Sequence, residues 1–339
     1  MLTGQGMELH PAWPFQAFMK NKLNYFNYFG SWRSLLLLGL LATMVAYAET
    51  KNGFDLADSL IPADKIFSGG PPKDGIASID NPVFVGADEA KLKLDQRVMG
   101  INFAGHTRAY PIAILNRHEV VNDQFGEYHV AVTFCPLCGS GMVFRAPHAN
   151  QALTFGVSGL LYNSDVLLYD RETESLWSQL QMQAVTGSRK GEKLKLLAAS
   201  HTTWQEWLSR YPDTEVLSED TGFAFDYSRD PYAAYKNSGD TWFPVAHQNS
   251  AYDKKEWIAG VVIDGQAKAY PFIELEQSSG DFTDHVGDVA VRVIWVKSAR
   301  SVRILDSAGV EVPATSVYWF AWYGFHPDTE IYRTNQAIK

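Results

Sequence analysis

Two cysteines stand three positions apart in the segment Val132-Thr133-Phe134-Cys135-Pro136-Leu137-Cys138-Gly139-Ser140-Gly141, and the 339 residues contain no other cysteine. A Cys-x-x-Cys turn brings two sulfurs to one point, where they can ligate a metal, cycle as a dithiol or close a small disulfide. Residues able to complete such a site are His118, then Glu119 and Asp123 just after it, and His326 ahead of Pro327-Asp328, with His129 as a further candidate. Two thiolates and an imidazole suit a soft or borderline ion, copper(I) or zinc(II). On that reading Cys135, Cys138, His118 and His326 are ligand candidates, and Glu119 or Asp123 orients a histidine or acts as a general base. A redox reading makes Cys135 the nucleophile and Cys138 the resolving thiol. A third reading leaves a structural disulfide in a non-catalytic scaffold, although so short a loop removes little entropy from the unfolded chain. No Gly-rich phosphate loop, Gly-x-Ser-x-Gly elbow, His-Glu-x-x-His pair or EF-hand loop accompanies the cysteines. Whether the chain is an enzyme stays open among these readings, and no partner is specified.

The compartment bears on the thiols. Ser34 to Tyr47 is an apolar run too short for a comfortable membrane span, preceded by Lys20, Lys22 and Arg33 and followed by Ala46-Tyr47-Ala48. The pattern predicts a signal peptide over residues 1–48, cleaved after Ala48, with Met19 as an alternative start. An uncleaved anchor is the competing reading and the only membrane contact expected. Either way the folded part is periplasmic or otherwise extracytoplasmic, where nearby thiols become a disulfide unless a metal or a dedicated reductant intervenes. A net charge of −9 argues against general binding to nucleic acid or anionic lipid.

The elements that must position these residues come next. Residues 49–86 are rich in Asp, Pro and Gly and read as an extended but ordered lead-in, with Phe54, Leu56, Ile61 and Phe67 as anchors. Within 87–333, Val98 to Leu115 matches Ile258 to Leu275 at a constant offset of 160, sharing Gly-x-x-x-x-Gly-x-(Arg/Lys)-Ala-Tyr-Pro. After a one-residue insertion, Asp123, Gly126, Val130 and Val132 match Asp284, Gly287, Val291 and Val293, so the repeat spans about 98–134 and 258–295. Each copy reads as a hairpin, a helix begun by Pro111 or Pro271, a turn at Asp123–Gly126 in the first copy, and a strand. The copies diverge at the chemistry: Ser278 and Ser279 replace His118 and Glu119, Val296 stands opposite Cys135, and the rest of the cysteine turn has no counterpart. Farther on, Trp204 to Tyr211 predicts a helix capped by Thr203, residues 222–239 an irregular loop, and 316–329 a buried aromatic run with a polar turn. Asp170, Arg171 and Glu174 predict a structural ion-pair network around Trp177. The fold expected is α+β and β-rich, a duplicated hairpin-helix-strand unit in one compact domain.

Four blocks together resemble a bacterial family of unknown function, DUF3179. They are His118-Glu119-Val120-Val121-Asn122-Asp123, Thr133 to Cys138, Asp170 to Gln179, and Trp319 to Thr329. The similarity covers roughly residues 60–333 and implies no particular activity. Locally, Cys-Pro-Leu-Cys-Gly also resembles the metal-binding knuckle of rubredoxins and zinc ribbons, where the glycine admits the required backbone conformation. Those sites have four ligands, so the remainder must come from His or carboxylates elsewhere. Cys-Pro-x-Cys is similar too to the turn of extracytoplasmic disulfide oxidoreductases. There a helix follows the first cysteine, whereas Gly139 to Phe144 reads as turn and strand.

Overall fold

Alternating side chains make an antiparallel hairpin of Arg97–Phe103 and His106–Pro111. Its two loop residues, Ala104 and Gly105, both sit at positive φ (50° and 82°), as a tight hairpin loop with the right twist demands. The computed structural model describes residues 49–146 and 152–334; the expected leader and the alternative start at Met19 lie outside them. Pro111 ends the hairpin at φ −60° and ψ 129°, immediately before the helix Ile112–His118 rather than inside its first turn. That helix buries Ile112, Ile114, Leu115 and His118 and stops at Glu119, which turns left-handed at φ 59°. A second hairpin follows, Val120–Phe125 against Tyr128–Cys135. Asp123 is therefore on a strand and not in the expected turn, because the β-branched pair Val120-Val121 begins the strand early. Each unit is hairpin, helix, hairpin.

The same order returns as Trp257–Ile263, Gln266–Pro271, the short helix Phe272–Leu275, Asp281–Val286 and Val289–Val296. Pairing outside the hairpins matches as well. Ser200–Thr203 lies antiparallel to Arg97–Phe103 and Glu215–Leu217 parallel to His106–Pro111; Ala314–Tyr318 and Glu330–Ile331 stand likewise to Trp257–Ile263 and Gln266–Pro271. Between these flanking strands run two helices, Trp204–Arg210 and Trp319–Phe325. The first was legible, with Thr203 Oγ1 accepting from the Glu206 N–H. The aromatic run 319–325 is also helical, with Trp319 and Trp322 on one buried face.

Trp207 lies over Gly100 and Trp322 over Gly260, so closely that a Cβ at either glycine would sit 2.1 or 2.3 Å from an indole carbon. Each indole N–H donates over 3.0 Å to a threonine hydroxyl, Thr214 or Thr329. Arg108 bridges Asp123 and Glu215, while Lys268 bridges Asp284 and Glu330. The chain is thus β-rich, with several sheets and short helices.

A further sheet has no partner in this scheme. It is ordered Gln183–Ala184, Leu176–Ser178, Asp165–Asp170, Phe155–Tyr162 and Ile66–Ser68. Its strand Phe155–Tyr162 holds two glycines, Gly156 and Gly159, which interrupt the alternation. Around it the expected ion-pair network forms only in part: Arg171 pairs with Asp80 and Glu174 with Lys73, both outside the block, while Asp170 makes no ion pair among the described residues and accepts from Trp177 Nε1 over 2.8 Å. The lead-in is ordered and anchored by Phe54, Leu56 and Ile61, but the fourth anchor is Ile66, with Phe67 half-buried. Residues 218–256 form one long irregular segment whose sole helix is Ala233–Lys236.

Candidate metal centre

Cys135 ends a strand, Ser140 begins the next, and the two residues pair across the turn Pro136-Leu137-Cys138-Gly139. The turn is a hairpin tip. Its last residue, Gly139, takes φ +66° against the Trp257 ring, where a Cβ would meet an indole carbon at 2.6 Å. No other residue type combines that φ with that space. The Cys138 N–H closes the turn on the Cys135 carbonyl at 3.2 Å.

A second hairpin tip faces the first. Tyr162 pairs with Asp165 across a two-residue loop, Asn163-Ser164, with both residues at positive φ (50° and 64°). Asn163 is fixed from both ends of its amide, donating to the Gly324 carbonyl at 3.0 Å and accepting from the Ala246 N–H at 2.8 Å. The loop delivers two groups to the sulfurs. The Ser164 carbonyl accepts from the Cys138 thiol at 3.2 Å and lies 3.8 Å from the Cys135 sulfur. The Asp165 carboxylate, fully buried, forms with both sulfurs a group whose ligand atoms all lie within 4.8 Å of one another.

Around this trio the polar groups are satisfied locally. Asp165 accepts from the Leu180 N–H at 3.0 Å and meets the Ser140 hydroxyl at 3.3 Å, and that hydroxyl is 2.6 Å from the Gln179 carbonyl oxygen. Gln179 in turn donates to Thr133. Burial pushes the Asp165 carboxyl up to about 7, with hydrogen bonds opposing only in part. Glu119, also buried, rises to about 8 from burial chiefly, Asp165 adding to it, while Tyr232 offers a hydrogen bond at 3.4 Å. Both thiols are raised by burial: Cys135 further by Asp165 and Glu119, Cys138 further by Cys135 and Asp165. Among the described residues neither Asp165 nor Glu119 is within 4 Å of a basic side chain. Four acids are thus buried near one another, a costly arrangement for their charged forms.

The irregular segment closes it. Tyr235 donates to the Leu137 carbonyl at 2.9 Å, the Ser164 hydroxyl donates to the Phe243 carbonyl at 2.8 Å, and Tyr232 reaches Glu119. Long unstructured connections in compact proteins usually serve function, and this one covers the cysteine turn.

Residues 73–310 match the profile of DUF3179, described as a protein of unknown function. The chain belongs to this family. No curated protein and no solved structure matches it. The DUF3179 match contains both cysteines and Asp165 and stops short of the aromatic helix 319–325.

Within the DUF3179 chain, sequence-expected residues are sorted differently from expectation. Cys135 and Cys138 come together, while Glu119 is buried near enough to raise the Cys135 thiol but stands outside the group that forms around the sulfurs. His118 does not join them: its ring nitrogens are taken by the Ala77 carbonyl at 2.7 Å and the Tyr227 hydroxyl at 2.6 Å, and burial lowers its pKa. Asp123 is held by Arg108 at 2.7 Å and by the Tyr110 hydroxyl, an arrangement echoed at Asp284 with Lys268. His326 stacks on Trp322 at 4.1 Å, where burial lowers it to about 4. The group that forms around the sulfurs contains none of these three. His129 is on the strand Tyr128–Cys135, six residues before Cys135, and its carbonyl accepts from Ala146. Asp165 was missed. Its signal was present: an acid heading the apolar run Val166-Leu167-Leu168-Tyr169, straight after the turn pair Asn163-Ser164. Nor does Cys135 start a helix, so the dipole that would lower a redox thiol is lacking, and burial moves the thiol the other way.

Proposed function

We propose that this protein binds a metal ion, with Cys135, Cys138 and Asp165 as ligands and Glu119 as the nearest further acid. One observation carries the reading: three ligand atoms within 4.8 Å of one another, all buried, with no basic side chain within 4 Å of the Asp165 carboxylate among the described residues. A divalent ion would displace the protons that burial now retains on the acids and balance the negative charge left behind. Thiolates with a carboxylate suit zinc(II) better than copper(I), which prefers an all-soft set. Bound there, zinc would act as a structural clamp or a Lewis acid according to whether a coordination position stays open. The chain's own parts do the rest. Two hairpin tips fix the ligands, Gln179 and Ser140 orient the carboxylate, and the 218–256 segment excludes water.

We read the protein as exported, on the strength of the leader-like residues 1–48, and its two halves as copies of one unit of which only the first carries the cysteine turn. The constant offset of 160 and the matching strand orders support the second point.

Elemental analysis and thiol titration of protein isolated from its native compartment test the reading. About one zinc per chain is expected, lost in Cys135→Ser and weakened in Asp165→Asn. Zinc added to metal-free protein at neutral pH releases protons, and cobalt(II) gives sulfur-to-metal charge-transfer bands. A protein that comes out metal-free and binds neither zinc nor cobalt overturns it. A disulfide that opens near the glutathione poise would then favour the dithiol alternative.

A further inference from the structure

A cavity of about 380 Å³ lies where both halves and the covering segment meet. Arg97, Lys236, Lys255, Arg300 and His201 line it, and no carboxylate does. In a chain with net charge −9 this runs against composition. Lys236 is paired with Asp230 at 2.8 Å and Arg300 with Glu276 at 3.1 Å. Arg97 and Lys255 have no carboxylate within 4 Å among the described residues. Arg97 donates to the carbonyls of Ala299 and His201, and Lys255 to the carbonyl and hydroxyl of Ser238 at 2.9 and 3.1 Å. Carbonyl dipoles orient such cations without cancelling their charge. Burial chiefly, with Arg300 adding to it and Glu206 opposing, brings Arg97 down to about 10.

The remaining wall is aromatic. Trp257 stands at 4.6 Å from Tyr318 and edge-on to His201 at 5.3 Å, and His201 meets Phe134 edge-on at 6.1 Å. His201 is nine-tenths buried, and its Nδ1 has no hydrogen-bond partner. Burial, with Arg97 and Lys236 nearby, keeps the imidazole neutral.

We propose that this cavity binds a small organic anion, a carboxylate or phosphate monoester joined to a flat apolar body. Arg97, Arg300 and Lys255 meet the charged end, and Trp257 and Tyr318 pack on the body. The volume is within the usual range for small-molecule sites. The site is independent of the metal reading, since none of its residues is a proposed ligand. It does share backbone with the cysteine turn: Gly139 is in its wall, and the Tyr318 N–H donates to the Cys138 carbonyl at 2.8 Å.

Calorimetric titration of the protein as isolated, with phenyl phosphate, benzoate, inorganic phosphate and neutral benzyl alcohol, tests the proposal. Saturable binding of phenyl phosphate or benzoate is expected, weakening with added salt, with benzyl alcohol about tenfold weaker or undetectable. Arg300→Gln and Lys255→Gln, at an exposed and a half-buried position, should each weaken the organic anions by about fivefold or more while zinc content stays unchanged. Absence of saturable binding of either organic anion, or affinities unaltered in both variants, overturns the proposal. Inorganic phosphate binding as tightly as phenyl phosphate overturns the role given to the aromatic wall. Loss of zinc in wild-type preparations with anion binding retained would count against the metal reading alone.

Discussion

Replacing Asp165 by asparagine removes one acid from the buried cluster while keeping the side chain's shape and its acceptor for the Leu180 N–H. The carboxyl rises from the usual 3.8 to about 7 on folding, chiefly through burial. A raised value means that the folded chain favours the protonated form. The associated stability is therefore complete below about pH 4, declines as pH rises, and is gone above about pH 7. Roughly three pH units at about 1.4 kcal/mol each give about 4 kcal/mol. Metal-free wild-type protein should lose about that much more stability between pH 4 and pH 8 than metal-free Asp165→Asn. Glu119, raised from 4.5 to about 8, adds a slope of the same sense that both proteins share. Urea denaturation at several pH values, after chelation and dialysis, reads the difference as diverging midpoints. Added zinc should reverse the order at pH 8, stabilising wild type more than the variant. Parallel pH dependences in the metal-free proteins would refute the reasoning, because they would mean that the Asp165 carboxyl is solvated or already paired.

Three further outcomes are expected. Asp123→Asn removes the buried carboxylate from Arg108 and Tyr110 while Glu215 still pairs with Arg108, and should lower stability by about 1–3 kcal/mol in denaturant titration, with zinc stoichiometry unchanged. Gly139→Ala must force both a positive φ and an overlap with Trp257, so its Tm should fall by far more than that of Gly126→Ala, where φ is also positive but nothing lies within 4 Å; the latter should lose about 1 kcal/mol. Trp207→Phe and Trp322→Phe each delete one indole bond to threonine and should destabilise by similar amounts, on the order of 1–2 kcal/mol; a large inequality in thermal denaturation would break the correspondence drawn between the halves.

Local rules made part of this molecule readable. The hairpins around Gly105 and Gly265, the proline-led helices and the Thr203 cap follow from turn chemistry and periodicity over short stretches. The aromatic helix at 319–325 did not, because its residues are apolar on nearly every face and so carry no period. A match that would have exposed it was on the page: Trp204 and Trp207 before Pro212-Asp213-Thr214-Glu215 stand as Trp319 and Trp322 do before Pro327-Asp328-Thr329-Glu330. At the candidate site the cysteines were legible because their spacing alone defines the turn. Asp165 is 27 residues beyond Cys138, on a different sheet, and only the meeting of two hairpin tips makes them neighbours. His118 misled for the opposite reason, as nearness in sequence to Glu119 and Asp123 did not become nearness to the sulfurs.

The segment 218–256 has one more consequence, and it concerns rates. A site with both sulfurs and its carboxylate sealed from water exchanges its contents only when the cover opens. Release then has a ceiling set by that opening, so a chelator in excess would remove the ion no faster as its concentration rises. Among the bonds that hold it shut are Tyr235 to Leu137, Ser164 to Phe243, Tyr232 to Glu119 and Ala246 to Asn163. Occupancy of such a centre would reflect the history of the chain, in particular what was at hand when the cover last closed, as much as the free-ion concentration around it.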